Sequence, residues 1–238
     1  MSKDIKALLL SAGFGTRLKP ITNDIPKCLV EINNKPILDF WLEKLESIGC
    51  KSAIVNTHYL NEKVHSFLSQ RKKTNMLIKE KFEKKLLGTA GTLINNADFF
   101  GDSKILMIHA DNITNFDLIE LIEADKRRPT KCLFTMLTFN SDNPKNAGVV
   151  VKNRFEILEK FYEKIESPPC NIANAAIYLL DSRFIKLLKS EYPEARDFSL
   201  DVIPNFLGRI YTYHTEKTLI DIGTKDNLLK ARKLFFKN

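Results

Sequence analysis

Residues Ala7–Val30 read ALLLSAGFGTRLKPITNDIPKCLV, and this stretch decides the fold. The apolar run Ala7–Leu10 is long enough for a buried strand. A small-residue turn follows, Ser11-Ala12-Gly13-Phe14-Gly15-Thr16, and then Arg17. Glycines let backbone N–H groups come close to a ligand, and successive N–H groups form a concave anion site. Arg17 adds a planar cationic fork suited to phosphate oxygens. Lys27, beside the rigid Pro26, supplies a second cation. Together these features predict a polyphosphate site. Neither common phosphate fingerprint fits. The third glycine of G-x-G-x-x-G is replaced by Leu18, and no Gly-Lys-Ser/Thr closes a P-loop. On spacing alone, an ordinary strand-turn connection with incidental charges stays open.

The segment resembles the signature of the sugar-1-phosphate nucleotidyltransferases, roughly G-x-G-T-R-L-x-P-L-T followed by P-K-P-L. Here it stands as Gly13-Phe14-Gly15-Thr16-Arg17-Leu18-Lys19-Pro20-Ile21-Thr22 and Pro26-Lys27-Cys28-Leu29, with Cys28 for the second proline. The resemblance runs from about Ala7 to Ala231. It implies a Rossmann-like, glycosyltransferase-A-like α/β domain with a mixed, mostly parallel central sheet and helices on both faces.

Composition sets the bounds. A chain of 238 residues with 44% hydrophobic content can bury one sizeable α/β core. No run of about 18 apolar residues occurs, so no membrane insertion is expected. Cys28, Cys50, Cys132 and Cys170 are scattered without paired spacing, which favours reduced thiols and a cytoplasmic location over disulfides or zinc. The net charge of +8 includes a dense basic run from Lys63 to Lys85. No nucleic-acid-binding motif accompanies it, so a solvated face serving small anions is expected and nucleic acid is not.

Periodicity predicts strands at Lys6–Leu10, Ser52–Thr57, Met76–Lys81, Ile105–His109 and Cys132–Phe139. Helices are expected at Pro36–Ile48, Asn61–Gln70, Thr89–Asn96 and Asp117–Arg127. This alternation implies a mostly parallel sheet, which binds ligands at the carboxyl ends of its strands. After about Asn140 the pattern changes. A hairpin is expected from Val149–Lys152 and Phe155–Phe161, then a strand at Asn174–Leu180, a helix at Ser182–Lys189, a strand at Ile210–Tyr213 and a closing helix at Thr224–Lys237. No Gly/Ser-rich linker divides the chain. The expectation is one domain over 1–238, with a nucleotide-binding half to about 140 and a mainly acceptor-binding half from about 141. The hexapeptide repeats of the C-terminal left-handed β-helix seen in some related enzymes are missing.

Four more segments carry chemistry. Leu87-Gly88-Thr89-Ala90-Gly91 is small enough for a base or ribose to lie against its backbone, or it is a helix start capped by Thr89. It resembles the family's nucleoside-contacting L-G-T-A-G, and Glu80 and Glu83 fall where the family often has an acidic residue; the sequence does not choose between them. Asp111 directly follows an apolar strand, where it can reach a divalent cation or simply cap a turn. It resembles the family's G-D, with Ala110 for glycine and His109 structural. Asp221 in Asp221-Ile222-Gly223-Thr224 resembles D-x-G-T. By resemblance, Asp111 and Asp221 would hold Mg²⁺, and Ser11–Arg17, Gly88, Thr89 and Asp111 the nucleotide, with Arg17, Lys27 and Asp111 catalytic.

Glu163-Lys164 resembles F-x-E-K-P with Ile165 for proline, and Asn174-Ala175-Ala176-Ile177-Tyr178 resembles N-A-G-I-Y with Ala176 for glycine. Without the resemblance, these are an exposed ion pair and a core tyrosine. With it, Glu163, Lys164 and Asn174 bind the sugar 1-phosphate. Such a phosphate carries about −1.5 to −2 charge near neutrality, so it needs no general base. The expected reaction is in-line attack on the α-phosphorus of a nucleoside triphosphate, releasing pyrophosphate. Guanylyl transfer to mannose or heptose 1-phosphate is the closest match. A cytidylyltransferase using a small acceptor such as phosphocholine, and a silent nucleotide-binding regulatory subunit, are the alternatives. A homodimer is the default oligomer.

Overall fold

The computed structural model describes residues 4–72 and 74–235. The fold is α/β, a mixed and mostly parallel sheet with helices. The described residues pack as two compact units: 4–6, 87–107 and 116–218 form one, and 7–72, 74–86, 108–115 and 219–235 the other. Among the described residues, no helix is long and apolar enough to cross a membrane.

In the second unit, strand Ser52–Thr57 lies between Ile5–Leu10, whose residues 7–10 belong to this unit, and Leu77–Phe82, with which it pairs in parallel, Ser52 opposite Leu77 through to Thr57 opposite Phe82. Ser52–Thr57 is buried throughout, as expected of an inner parallel strand. Pro36 is the residue before helix Ile37–Ser47, whose buried stripe is Ile37, Leu38, Trp41, Leu42 and Leu45. That spacing gives one apolar helix face. Trp41 also carries a polar duty: its fully buried indole donates Nε1–H to the Asn112 carbonyl at 2.8 Å. A two-stranded antiparallel ladder completes this unit, with Leu219, Ile220 and Asp221 opposite Thr114, Ile113 and Asn112.

In the first unit, Phe134–Asn140 pairs antiparallel with Ile172–Leu180 and parallel with Ile210–Thr215. The hairpin forms as expected, from Gly148–Lys152 and Leu158–Glu163. Its second arm starts later than Phe155 because Asn153 builds a longer turn, its side-chain oxygen accepting from the N–H groups of Phe155 and Ile157. Phe134, Tyr178, Phe184 and Phe198 stack edge-on and tilted at centroid distances of 4.8–6.2 Å to form the aromatic core.

The predicted strands and helices are all present with ends shifted by a few residues. The closing helix is Lys225–Leu234, with Thr224 capping it through Asn227 N–H; Lys237 lies outside the described residues. The short elements carried no periodic signal and were not expected, among them the ladder at Asn112–Thr114 and Leu219–Asp221, the strand pair at Glu31–Ile32 and Lys35–Pro36, the one-turn helices Ile21–Asp24 and Ala97–Phe100, and the π-helical turn Phe198–Val202.

Trp41→Phe keeps most of the apolar volume and deletes the donor to Asn112. We expect a loss of about 1–3 kcal/mol in unfolding free energy, read by urea denaturation. An unchanged midpoint would show that the indole hydrogen bond does not hold the Asn112 ladder.

Candidate functional site

The glycine turn leaves the end of strand Ile5–Leu10 without entering a regular helix. Residues 11–15 are irregular, and a single 3₁₀ turn covers Thr16–Leu18. Gly13, Phe14, Thr16 and Arg17 are exposed, while Ala12 and Leu18 are buried and pin the turn from beneath. The Thr22 hydroxyl donates to the Gly15 carbonyl at 2.7 Å, and Tyr59 donates to the Thr22 carbonyl at 2.9 Å. Phe14 is half-exposed with its ring against His58 and Tyr59.

Asp111 and Asp221, distant in sequence, meet because of the short ladder. Asp221 is the register partner of Asn112, and Ile222 N–H donates to the Asp111 carbonyl at 3.1 Å. Both carboxylates then take the same cation. Lys27 Nζ donates to Asp111 Oδ2 at 2.5 Å and to Asp221 Oδ1 at 3.0 Å. The Arg17 guanidinium stands 3.7 Å from Asp221 Oδ2. Gly223 leaves space that these side chains use: a Cβ at this position would stand 2.7 Å from Arg17 Nη2 and 2.9 Å from Asp221 Oδ1.

The charges are graded in exposure. The Lys27 side chain is 9% exposed, Asp111 32%, Asp221 45% and Arg17 67%. So the ammonium is enclosed while the carboxylates and the guanidinium remain reachable. Burial works against the Lys27 charge, but Asp111 and Asp221 outweigh it and raise its pKa above the ordinary lysine value. Burial also opposes Asp111 ionisation, yet Lys27 and then His109 outweigh it and hold the carboxyl below the usual range. Cys28 is fully enclosed beside this cluster, and burial, with Asp111 adding to it, pushes its thiol up to about 12. It is a packing residue, not a nucleophile.

Mg²⁺ fits this donor set. It takes one or two carboxylates and completes its shell with phosphate oxygens and water. Two carboxylates already converge here on one cation. Among the described residues no group of three or more His, Cys, Asp and Glu could hold a metal ion.

The two upstream glutamates separate clearly. Glu80 accepts from the Thr57 hydroxyl at 3.0 Å and pairs with His65 Nδ1 at 2.8 Å. Glu83 is buried and belongs to the turn's own network. Asn56 Nδ2 donates to Glu83 Oε1 at 3.0 Å, and Ser11 N–H donates to Asn56 Oδ1 at 2.7 Å. The Ser11 hydroxyl donates to the Asn56 carbonyl at 2.5 Å. Asn56 was not singled out in the sequence. It is one of three polar residues in the strand Ser52–Thr57 and carried no distinguishing signal.

The other unit holds the remaining predicted residues. Gly88 opens helix Gly88–Asn95, and a Cβ on it would stand 2.3 Å from the Arg196 carbonyl oxygen. That carbonyl accepts from Ala90 N–H at 2.9 Å. Thr89 does not cap its helix; its hydroxyl accepts from Phe198 N–H at 2.7 Å. So these small residues seat the segment Arg196–Phe198. The same segment reaches the acceptor candidates. Asn174 Nδ2 donates to the Tyr178 hydroxyl at 2.6 Å, and its Oδ1 accepts from Ala176 N–H at 2.9 Å. Burial raises the Tyr178 pKa; a Ser199 hydrogen bond and the charges of Glu163 and Asp197 also act on that hydroxyl. Lys164 Nζ lies 3.4 Å from Glu163 Oε1 and is largely exposed. The structure therefore gathers Glu163, Asn174 and Tyr178 with Asp197 and Ser199, two residues with no distinguishing pattern in the sequence.

A family model described as "Nucleotidyl transferase" matches residues 6–237. A rice protein named "Probable mannose-1-phosphate guanylyltransferase 1" is 34% identical over 182 residues, covering 74% of this chain and 50% of the relative. A mannose-1-phosphate guanyltransferase of Aspergillus fumigatus is 28% identical over 97% of this chain and 64% of the relative. The chain thus spans between half and two thirds of the length of these relatives. The crystal structure of HddC from Yersinia pseudotuberculosis complexed with GMP-PN superposes with a TM-score of 0.80 at 26% identity, over 97% of this chain and 99% of that one.

The ion triad has a pH signature. The depressed Asp111 pKa contributes stability that is complete above the unfolded carboxyl value of about 3.9 and is lost as pH falls through the folded value. The raised Lys27 pKa contributes stability that is complete below the unfolded value of about 10.4 and is lost as pH rises through the folded value. Lys27→Met removes both contributions and leaves two carboxylates apposed. The Asp111 titration, followed by carboxyl carbon NMR, should then move to higher pH. A midpoint unmoved by the substitution contradicts the shared-ammonium arrangement.

Proposed function

The chain belongs to the nucleotidyl transferase family, and on that premise we propose that it transfers a nucleoside monophosphate from a nucleoside triphosphate to a sugar 1-phosphate. GTP and a mannose- or heptose-type 1-phosphate are the proposed pair. The observation that carries this reading is the Lys27 ammonium held between Asp111 and Asp221 beside an exposed glycine turn and Arg17. The relatives named as mannose-1-phosphate guanylyltransferases, and the superposed structure complexed with GMP-PN, support the choice of base.

The reaction needs charge neutralisation and alignment more than proton transfer, because the attacking phosphate oxygen is already anionic near neutral pH. The exposed N–H groups of Gly13–Thr16 and the Arg17 guanidinium bind the β- and γ-phosphates and stabilise them as they leave as pyrophosphate. Lys27 steadies the α-phosphate as its five-coordinate transition state forms. Lys164 takes the incoming sugar phosphate, and Glu163 and Asn174 hydrogen-bond sugar hydroxyls. Asp111 and Asp221 would hold Mg²⁺, which when bound supplies Lewis-acid neutralisation of the phosphates.

We expect Mg²⁺-dependent pyrophosphate release from GTP that requires mannose or heptose 1-phosphate. Arg17→Ala and Asp111→Ala should each lower kcat by at least ~100-fold, the scale of losing one electrostatic stabiliser. Near-normal turnover in either variant removes that residue from its role. Release with CTP and phosphocholine in place of the sugar pair would overturn the acceptor assignment.

A further inference from the structure

Residues 11–15 form no regular element, yet one short segment, residues 56–59, grips them at the start, middle and end. At the start, Ser11 N–H donates to Asn56 Oδ1 at 2.7 Å. In the middle, the Phe14 ring stands edge-on to His58 at a centroid distance of 5.2 Å and tilted on Tyr59 at 5.8 Å. At the end the grip is indirect. The Tyr59 hydroxyl has one proton, which goes to the Thr22 carbonyl at 2.9 Å with the Asn23 carbonyl as a longer second acceptor at 3.2 Å. Thr22 is fully buried, and its own hydroxyl donates to the Gly15 carbonyl at 2.7 Å. That carbonyl also accepts from Leu18 N–H at 2.9 Å, closing the 3₁₀ turn that carries Arg17. Gly15 has φ +64, and a Cβ on it would stand 2.9 Å from Thr22 Cγ2 and 3.3 Å from Lys27 Cβ. Helix Ile21–Asp24 is a single turn, too short to satisfy its own carbonyls. Tyr59 serves two of them, and the Lys63 ammonium donates to the Asp24 carbonyl.

We propose that Tyr59 is a positioning residue for the triphosphate: its ring holds Phe14 and its hydroxyl, through Thr22, holds Gly15, so that the N–H groups of residues 13–16 and the Arg17 turn are ordered before the ligand arrives. This inference rests on the reading that the glycine turn binds the β- and γ-phosphates. A concave anion site works only when successive N–H groups point to one place. Glycine backbone loses the most freedom on being ordered, and a loop ordered only on binding subtracts that loss from affinity. Holding the turn beforehand removes the loss. The consequence is specific, because a monophosphate has no β- or γ-phosphate to place in the turn. Tyr59 therefore sets the preference for GTP over GMP and leaves the affinity for GMP unchanged. Its two contacts are separable: phenylalanine at 59 keeps the ring on Phe14 and deletes only the line to Gly15.

The test is titration calorimetry of the whole chain with GTP and with GMP, in Mg²⁺ and without acceptor, for wild type, Tyr59→Phe, Thr22→Val and Tyr59→Leu. The GTP:GMP affinity ratio should fall at least ~3-fold in Tyr59→Phe and in Thr22→Val, the scale of one hydrogen bond, and at least ~10-fold in Tyr59→Leu, where the ring contact goes as well. GMP affinity should stay within about 2-fold of wild type in all of them. A merely structural role for Tyr59 predicts equal weakening of both ligands, or of neither. A ratio that moves less than ~3-fold in Tyr59→Phe overturns the proposal, whether both affinities fall together or both are kept. Should Tyr59→Leu fail to fold, judged by thermal melting, Tyr59→Phe and Thr22→Val keep the shape of their side chains and decide the matter alone. Wild type that does not prefer GTP to GMP refutes the functional reading; wild type that prefers GTP while Tyr59→Phe keeps the same ratio refutes only the positioning role.

Discussion

A lysine ammonium withdrawn from water must be compensated, and in this chain that requirement organises the site. Burying an unpaired charge costs several kcal/mol, so Lys27 needs both carboxylates within reach. Satisfying it dictates the neighbouring architecture. The Asn112–Thr114 and Leu219–Asp221 ladder brings Asp221 alongside Asp111, and the Trp41 indole holds the Asn112 carbonyl from the helix side. Gly223 leaves room for the Arg17 guanidinium and the Asp221 carboxylate to approach one another. Each of these residues looks unremarked in isolation; each is constrained once the ammonium is enclosed.

The same logic separates what the sequence could reveal from what it could not. Strand Ser52–Thr57 was legible as a short run around Ala53-Ile54-Val55, and helix Ile37–Ser47 because its buried residues recur on one face. Arg17, Lys27 and Asp111 were legible because charged residues follow an apolar strand or a glycine turn at a fixed offset. The three-residue ladder was not, since two short strands far apart in sequence carry no period. Nor was the distinction between Glu80 and Glu83, which are alike in composition and differ only in what reaches them: His65 and Thr57 for one, Asn56 for the other. Asp197 and Ser199 were silent because a π-helical turn has no sequence pattern of its own, and it is recognised only by what it packs on.

Small residues in this chain have two different uses that a motif cannot tell apart. In Leu87–Gly91 they read as a surface for a nucleoside. Gly88, with φ +82, is needed first for the chain itself, because the Arg196 carbonyl occupies the space of a side chain. Ala176 shows the converse. It holds φ +53, a left-handed conformation that costs an L-residue roughly 1–2 kcal/mol and a glycine almost nothing. The bend it makes is held by the Asn174 side chain, so Asn174 and Tyr178 are presented on an irregular stretch of an otherwise regular strand. Strain of this kind marks a place where geometry matters more than local stability.

A site that satisfies itself without ligand must exchange partners when one arrives, and the arrangement around Lys27 makes that exchange inexpensive. The ammonium is paired with oxygen anions in the absence of phosphate and can be paired with oxygen anions in its presence, so at no stage need a buried charge stand uncompensated. Under the proposed function, the carboxylates it would leave are the pair that would take a divalent cation. Arg17, two-thirds exposed and loosely associated with Asp221, would give up little in turning to another anion. Under that reading the uncharged elements, Trp41 and the Ser11–Asn56 pair, are the frame around which the charged groups would exchange partners.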